Sequence, residues 1–386
     1  AKAFIDRRGK TPNFFIEEEK SRSYKRIFPE FNDYLPLYSQ SHLPVREQMT
    51  AEGHAVRAVY MYCAMADLAY EYKDKELFES CCRLWDNIEY KRMYLTGGIG
   101  SSGILERFTT DYDLPNNSNY SETCASIGLA LFGRRMTQIT RDGKYMDVVE
   151  KALYNTVLSG IALDGKSFFY VNPLEVWPDN CLSRTSKEHV KAVRQKWFGV
   201  ACCPPNIART LASIGEYAYF QSEETFWINL FLSSNVNMKV KNRDITLSIK
   251  TCFPMDGKVS VEIAGNEGVE FQIAFRIPGY VKNYYATLDG VEIQDKNCDK
   301  AYEYIKINGQ KRLEFELDFK SRYIHANPLV REDSGKVAIE KGPIVYCIEE
   351  TDNGANLPAI YVNTKLPIKE QYREDILGGT LVFSIQ

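Results

Sequence analysis

Ile207-Ala-Arg-Thr-Leu-Ala-Ser-Ile-Gly-Glu-Tyr-Ala-Tyr219 is the last stretch of this chain to space its apolar residues at helical steps, and Ile245-Thr-Leu-Ser-Ile249 already alternates them by two. The period therefore changes near residue 222. Upstream, Ala55, Val59, Tyr62, Ala66 and Ala69 recur at steps of three and four, the spacing that lines one face of an α-helix. Leu77 to Tyr90, Ala125 to Thr140 and Tyr145 to Leu158 repeat that stripe, with separators that are short or carry turn residues such as Gly97, Gly98 and Gly100. Downstream, Val259, Val261 and Ile263 alternate, as do Phe271, Ile273, Phe275 and Ile277, and then Leu313, Phe315, Leu317 and Phe319. Asp256-Gly257, Asp289-Gly290 and Asn308-Gly309 punctuate these runs at the spacing of a sandwich. Helices followed by strands, rather than interleaved with them, predict an α+β multidomain chain. Its expected parts are a helical domain over 1–221 and a β-sandwich region over 222–386 with room for more than one sandwich.

Composition narrows the function. Over 386 residues, 48 Lys and Arg face 51 Asp and Glu, a net charge of -3 that argues against a dedicated nucleic-acid binder. No apolar run approaches the ~18 residues a membrane span requires, and the first ten residues lack a signal-peptide apolar core. A hydrophobic fraction of 44% is enough for a substantial core. Aromatic residues make up 13% of the chain; tyrosine suits sugar rings but fills cores equally well, so that figure alone decides nothing. Ten cysteines are too sparse for a disulfide scaffold and suit reduced thiols, metal ligands or nucleophiles. Reduced thiols point to the cytoplasm. Ala1 and the strand-like run Thr380 to Gln386 both read as cut ends, which leaves a periplasmic or secreted setting open.

Chemistry concentrates in Glu122-Thr-Cys124 and Cys202-Cys203-Pro-Pro-Asn206. Three thiolates and a carboxylate form a suitable tetrahedral set for Zn²⁺. Pro204 and Pro205 are well tolerated in the first turn of a helix, so Ile207 to Tyr219 puts the cysteine pair at a helix N-terminus, where the dipole and a metal both favour thiolate. Adjacent cysteines are poor disulfide partners because neighbouring Cα atoms are closer than the bond prefers. Cys81-Cys82 is the internal comparison: with neither proline nor a nearby acid, it reads as core packing.

Further strings accompany these. Gly97-Gly-Ile-Gly-Ser, Glu106-Arg-Phe108, Tyr112-Asp-Leu-Pro-Asn116, Tyr120-Ser-Glu-Thr-Cys124-Ala-Ser, Phe169-Tyr170-Val-Asn-Pro173-Leu and Cys202-Cys-Pro-Pro-Asn206 stand in this order, joined by Gly53-His-Ala-Val-Arg57, Arg276-Ile-Pro-Gly279 and Lys341-Gly-Pro-Ile-Val-Tyr346. In these the chain resembles the β-L-arabinofuranosidases of glycoside hydrolase family 127 and their close relatives. The resemblance implies an (α/α) toroid followed by β-sandwich domains. It also implies Zn²⁺ held by Glu122, Cys124, Cys202 and Cys203, with Cys202 as nucleophile and Glu106 as general acid/base of a retaining hydrolase. A further helical segment before the position of Ala1 belongs to the implied fold, so the toroid is expected to be N-terminally incomplete.

The substrate implied is a terminal β-L-arabinofuranose of plant glycans or glycoproteins, and carbohydrate is therefore the expected partner, without nucleic acid or membrane. Exposed apolar helix faces of an incomplete toroid would favour pairing of two copies, hence a homodimer. His54 and Tyr170 are expected sugar contacts, although both positions also suit core residues; Trp197 is expected to pack under the cysteine pair. His42, His189 and His325 have no partner pattern. Two alternatives compete: a carbohydrate-binding or structural protein in which a closed four-ligand zinc only ties the helices together, and a related toroid glycosidase acting on another sugar.

Overall fold

The computed structural model describes residues 1–22 and 34–385; Gln386, the end of the last strand-like run, lies outside them. It is a mixed helix-and-sheet multidomain protein that divides into two compact units. One unit comprises Ala1–Thr140, Val148–Ala212 and Pro328–Ser334, the other Arg141–Asp147, Ser213–Asn327 and Gly335–Gln386. Among the described residues no helix is long and apolar enough to cross a membrane.

The first unit is built on the helix Ala55–Glu71, which buries its predicted stripe against the helix Thr123–Thr140. Glycine permits their closeness: a Cβ on Gly128 would lie 2.4 Å from Val59 Cγ2. The helix Lys75–Asn87 starts where the Asp74 carboxylate accepts from Leu77 N at 3.0 Å, satisfying a first-turn N–H that has no partner inside the helix. Trp85, fully buried, meets Phe132 edge-on, and Tyr62 packs on the same ring. Of the Cys81-Cys82 pair expected to pack in the core, Cys81 is buried and Cys82 half-buried.

The stripe ending at Tyr219 is shorter than its period implies. Its helix runs Cys203–Ala212; a turn follows at Ser213 and Ile214, then a single helical turn, Gly215–Ala218. Tyr219 instead opens strand β1 (Tyr219–Gln221), paired antiparallel with β2 (Thr225–Ile228). Backbone pairing outweighs a helical preference worth only tenths of a kcal/mol per residue.

The second unit contains two main sheets. The first has the order β1-β2-β6-β10-β9, with β6 at Glu270–Arg276, β9 at Cys298–Asp299 and β10 at Tyr302–Asn308. The second has the order β3-β4-β5-β11-β7-β8, with β3 at Ser234–Val240, β4 at Arg243–Thr251, β5 at Lys258–Ala264, β7 at Asn283–Leu288, β8 at Val291–Glu292 and β11 at Arg312–Asp318. The chain leaves the first sheet after β2, forms β3, β4 and β5 in the second, and returns to lay β6 parallel to β2. Such a parallel neighbour needs a long crossover and leaves no local trace in sequence. The alternating residues of β4, β5 and β11 point to a buried face, and Phe315 of β11 stacks on Phe275 of β6 at 3.6 Å between centroids.

Arg276-Ile-Pro-Gly279 has a structural explanation. Arg276 is fully buried, and its Nη1 donates to Asp147 Oδ1 while Nε donates to Asn229 O at 2.6 Å. The other Asp147 oxygen accepts Gly279 N at 3.0 Å, and a Cβ on Gly279 would sit 2.9 Å from it. One carboxylate thus neutralises a buried cation and closes the loop after β6. Removing the acid takes a charge partner from a buried cation. Asp147→Ala is expected to lower unfolding free energy by about 3 kcal/mol, read by chemical denaturation; a change within experimental scatter would show that the carboxylate is not what balances Arg276.

Candidate metal and catalytic site

The site assembles from three segments of the helical unit. Gly97-Gly-Ile-Gly100 prepares it. Gly100 has φ 90°, and its carbonyl accepts both Tyr120 N and Ser121 N, at 3.1 and 2.9 Å. Gly98 leaves room for Ser121, whose Oγ a Cβ would approach to 2.7 Å. Ser121 itself is left-handed (φ 41°), and this kink lets Glu122 bridge Val171 while Thr123 begins the helix. Glu122 and Cys124 therefore sit at one helix N-terminus, and Cys202 and Cys203 at another, where the Cys203–Ala212 helix starts.

The structure brings these four side chains together. Cys124 Sγ lies 3.7 Å from Cys203 Sγ, Cys202 Sγ 3.9 Å from Cys203 Sγ and 3.2 Å from Glu122 Oε1; one ligand atom from each of the four falls within 4.8 Å of all the others. Glu122, Cys124 and Cys203 are buried, whereas Cys202 is exposed.

Charge is the central difficulty of such a cluster. Hydrogen bonds from Cys124 and then Cys203 pull the Cys202 thiol far below the usual thiol range. In response Cys124 is pushed up, first by its bond to Cys202, and Cys203 by its bonds to Cys124 and Cys202. Burial, and then the neighbouring Cys202 charge, raise Glu122 to about 9. Like charges this close cannot all ionise without a cation. A dication removes that restriction. Three sulfurs and a carboxylate at these separations are the donor set of a metal ion that accepts sulfur.

Beside the cluster stands Glu106. It is carried by the turn Ile104–Glu106, in which Leu105 (φ 63°) and Glu106 (φ 52°) are both left-handed, a conformation disfavoured for residues with a Cβ. Backbone bonds between Ser102 and Arg107 clamp its base in both directions at 3.2 Å. His54 Nε2 lies 2.9 Å from Glu106 Oε2, and Tyr120 Oη donates to Oε1 at 2.9 Å. Tyr170 Oη is 3.1 Å from Cys202 Sγ. A cleft of about 530 Å³ is lined by His54, Glu106, Glu122, Cys124, Tyr170 and Cys202, with Arg57, Tyr60, Asn206 and Arg209 on its remaining wall.

Most of the chain falls within known sequence patterns. Residues 1–216 match the β-L-arabinofuranosidase GH127 catalytic domain, 225–321 the GH127 middle domain and 321–376 the glycoside hydrolase family 127 C-terminal domain. The chain belongs to glycoside hydrolase family 127. A non-reducing end β-L-arabinofuranosidase of Bifidobacterium longum subsp. longum is 38% identical across 97% of this chain and 58% of its own length. A GH127 β-L-arabinofuranosidase crystal structure from Geobacillus stearothermophilus T6 superposes with a TM-score of 0.94 at 43% identity, over all of this chain and 60% of that one. Another GH127 β-arabinofuranosidase structure gives 0.86 at 36% identity, again over all of this chain and 58% of that one. The chain thus spans about three fifths of the length of these relatives.

Within this GH127 chain one expectation changes. Trp197 does not pack under the cysteine pair: it is 68% exposed, and the neighbouring Phe198 takes the inner place against Tyr170 and Phe168. Tyr120, Asn206 and Arg209 belong to the site's surroundings although sequence reasoning gave them no part; Tyr120 and Asn206 stand inside the quoted motifs, and Arg209 follows Asn206 by three residues on the same helix, its Nη2 donating to Tyr60 Oη at 3.0 Å.

Burial works against ionised Glu106, but the bonds from His54 and Tyr120 outweigh it and hold the carboxyl below its ordinary 4.5. A depressed carboxylate stabilises the fold above its unfolded-state value and loses that contribution as pH falls through the folded one. In chelated protein, Glu106→Gln is expected to lower the melting temperature at pH 7, with the gap from wild type closing as pH drops below 4.5. A gap that widens towards acid would reverse the assigned sign.

Proposed function

We propose that this chain is the catalytic part of a zinc-dependent retaining glycosidase that releases terminal β-L-arabinofuranose from plant-derived glycans or glycoproteins. The observation that carries this reading is the asymmetry of the cluster: three donors are buried, while Cys202, the fourth, opens onto the cleft that Glu106 also lines. A purely structural zinc site has no need of an accessible sulfur beside an acid. The names of the β-L-arabinofuranosidase relatives support the choice of sugar.

In this reading Glu122, Cys124, Cys202 and Cys203 hold Zn²⁺. When bound, the ion neutralises the cluster and keeps the sulfurs ionised. Glu106, which the free site holds as a carboxylate, acts in its protonated form, donating that proton to the glycosidic oxygen as Cys202 Sγ attacks the anomeric carbon. The C–S bond forms, the C–O bond breaks, and its electron pair leaves with the protonated oxygen. Glu106, now a carboxylate, takes a proton from water; the water oxygen bonds the anomeric carbon, and the C–S electron pair returns to Cys202. Two displacements retain configuration, with sulfur where most retaining enzymes use a second carboxylate. His54 and Tyr170, which border the two reacting groups, are the proposed sugar contacts.

The proposed architecture is an (α/α)-toroid region over 1–221 followed by a β-sandwich region over 222–386 built from the two main sheets, the first of which also takes in β1 (Tyr219–Gln221). The latter is supported by the Phe275–Phe315 stack between their faces.

Metal analysis is expected to find roughly one zinc per chain in wild type and little in Cys124→Ser. At matched zinc content, Cys202→Ala and Glu106→Gln should each lower hydrolysis of an aryl β-L-arabinofuranoside by about 100-fold or more. Retained hydrolysis in both variants would overturn the mechanism.

A further inference from the structure

We propose that Tyr120 is a positioning residue that aims the Glu106 proton at the departing oxygen; this rests on the reading of Glu106 as acid/base. The Glu106 carboxyl is carried on a three-residue turn with two successive left-handed residues, a geometry that its own backbone disfavours. Something outside the turn must hold it. His54 engages one oxygen, Oε2, and Tyr120 Oη the other, Oε1. Together these two contacts fix the rotation of the carboxyl plane, which a single contact would leave free.

Tyr120 is built for this task. The residue is only 9% exposed, and its ring meets Tyr170 edge-on at 6.0 Å and lies 5.4 Å from the His189 ring. His189 is anchored in turn, with Nε2 3.2 Å from Asn119 O. It nests against the base of the Glu106 turn at Gly103, where a Cβ would come within 2.5 Å of His189 Nδ1. The backbone of Tyr120 is tied down as well, its N–H donating to Gly100 O. The Tyr120 hydroxyl therefore has little freedom to point anywhere except along the bond to Glu106. The same packing joins both halves of the proposed chemistry, because Tyr170, the ring beside Tyr120, approaches the Cys202 sulfur.

Leaving-group dependence separates aiming a proton from general support of the fold. Tyr120→Phe retains the ring and deletes only the hydroxyl. kcat/KM reports the first, glycosidic-bond-breaking step. A nitrophenyl leaving group needs little protonation and an alkyl one needs much. With zinc content and melting temperature matched to wild type, Tyr120→Phe should lower kcat/KM for an alkyl β-L-arabinofuranoside by roughly tenfold or more and for the nitrophenyl glycoside by less than about threefold. Glu106→Gln run in parallel should show the same ordering, only steeper. Equal losses on both substrates, or none, while Glu106→Gln discriminates, would overturn the role of Tyr120 and leave that of Glu106 intact. If Glu106→Gln also fails to discriminate, the acid/base reading falls and this proposal with it.

Discussion

Four potential anions share a space less than 5 Å across in the helical unit, and the rest of the site follows from that constraint. Such a group is untenable as four charges in a buried place and equally poor as four neutral groups if it is to do chemistry. In the protein alone the groups are pulled apart, Cys202 below the usual thiol range and Cys124 and Cys203 above it. A dication would convert them into a full set of ligands, the role proposed here for zinc. The sulfur drawn down is also the one left open to the cleft.

The fold brings this about with two helix N-termini. Glu122 and Cys124 enter from the start of one helix and the Cys202-Cys203 pair from the start of another, so the positive ends of both helices favour anionic donors. Reaching that geometry takes backbone that most residues avoid. Ser121 turns left-handed just before Glu122, and Leu105 and Glu106 do so in succession. The glycines of Gly97-Gly-Ile-Gly100 act as backbone support, their carbonyls and missing side chains making room for the Ser121 kink. Left-handed backbone of this kind occurs at turns elsewhere in the chain as well, but here it sets the position of groups to which chemistry is assigned.

Away from the site, the buried Arg276 pair illustrates how a motif can be structural. Arg276, Gly279 and Asp147 form one closed arrangement in the second unit, and the resemblance of Arg276-Ile-Pro-Gly279 to a family signature reflects a loop that must close over a cation.

Local order was legible because it depends on neighbours in the chain. The stripe from Ala55 to Ala69 and the alternation of Ile245, Leu247 and Ile249 each mark the face that leaves water, and the structure buries those faces. The proline pair after Cys203 marked a helix start in the same local way. What period could not reveal was where a stripe gives way to pairing, as at Tyr219, or that β2 would find a parallel neighbour forty-odd residues later in β6. Chemical type singled out Glu122, Cys124, Cys202 and Cys203, but their meeting point, the exposure of Cys202 alone and the aim of Tyr120 at Glu106 were decided by tertiary structure. The physical reason is distance: a hydrogen bond or shared charge acts over a few ångströms of space, whichever residues folding brings there, and composition and spacing report only on what lies adjacent along the chain.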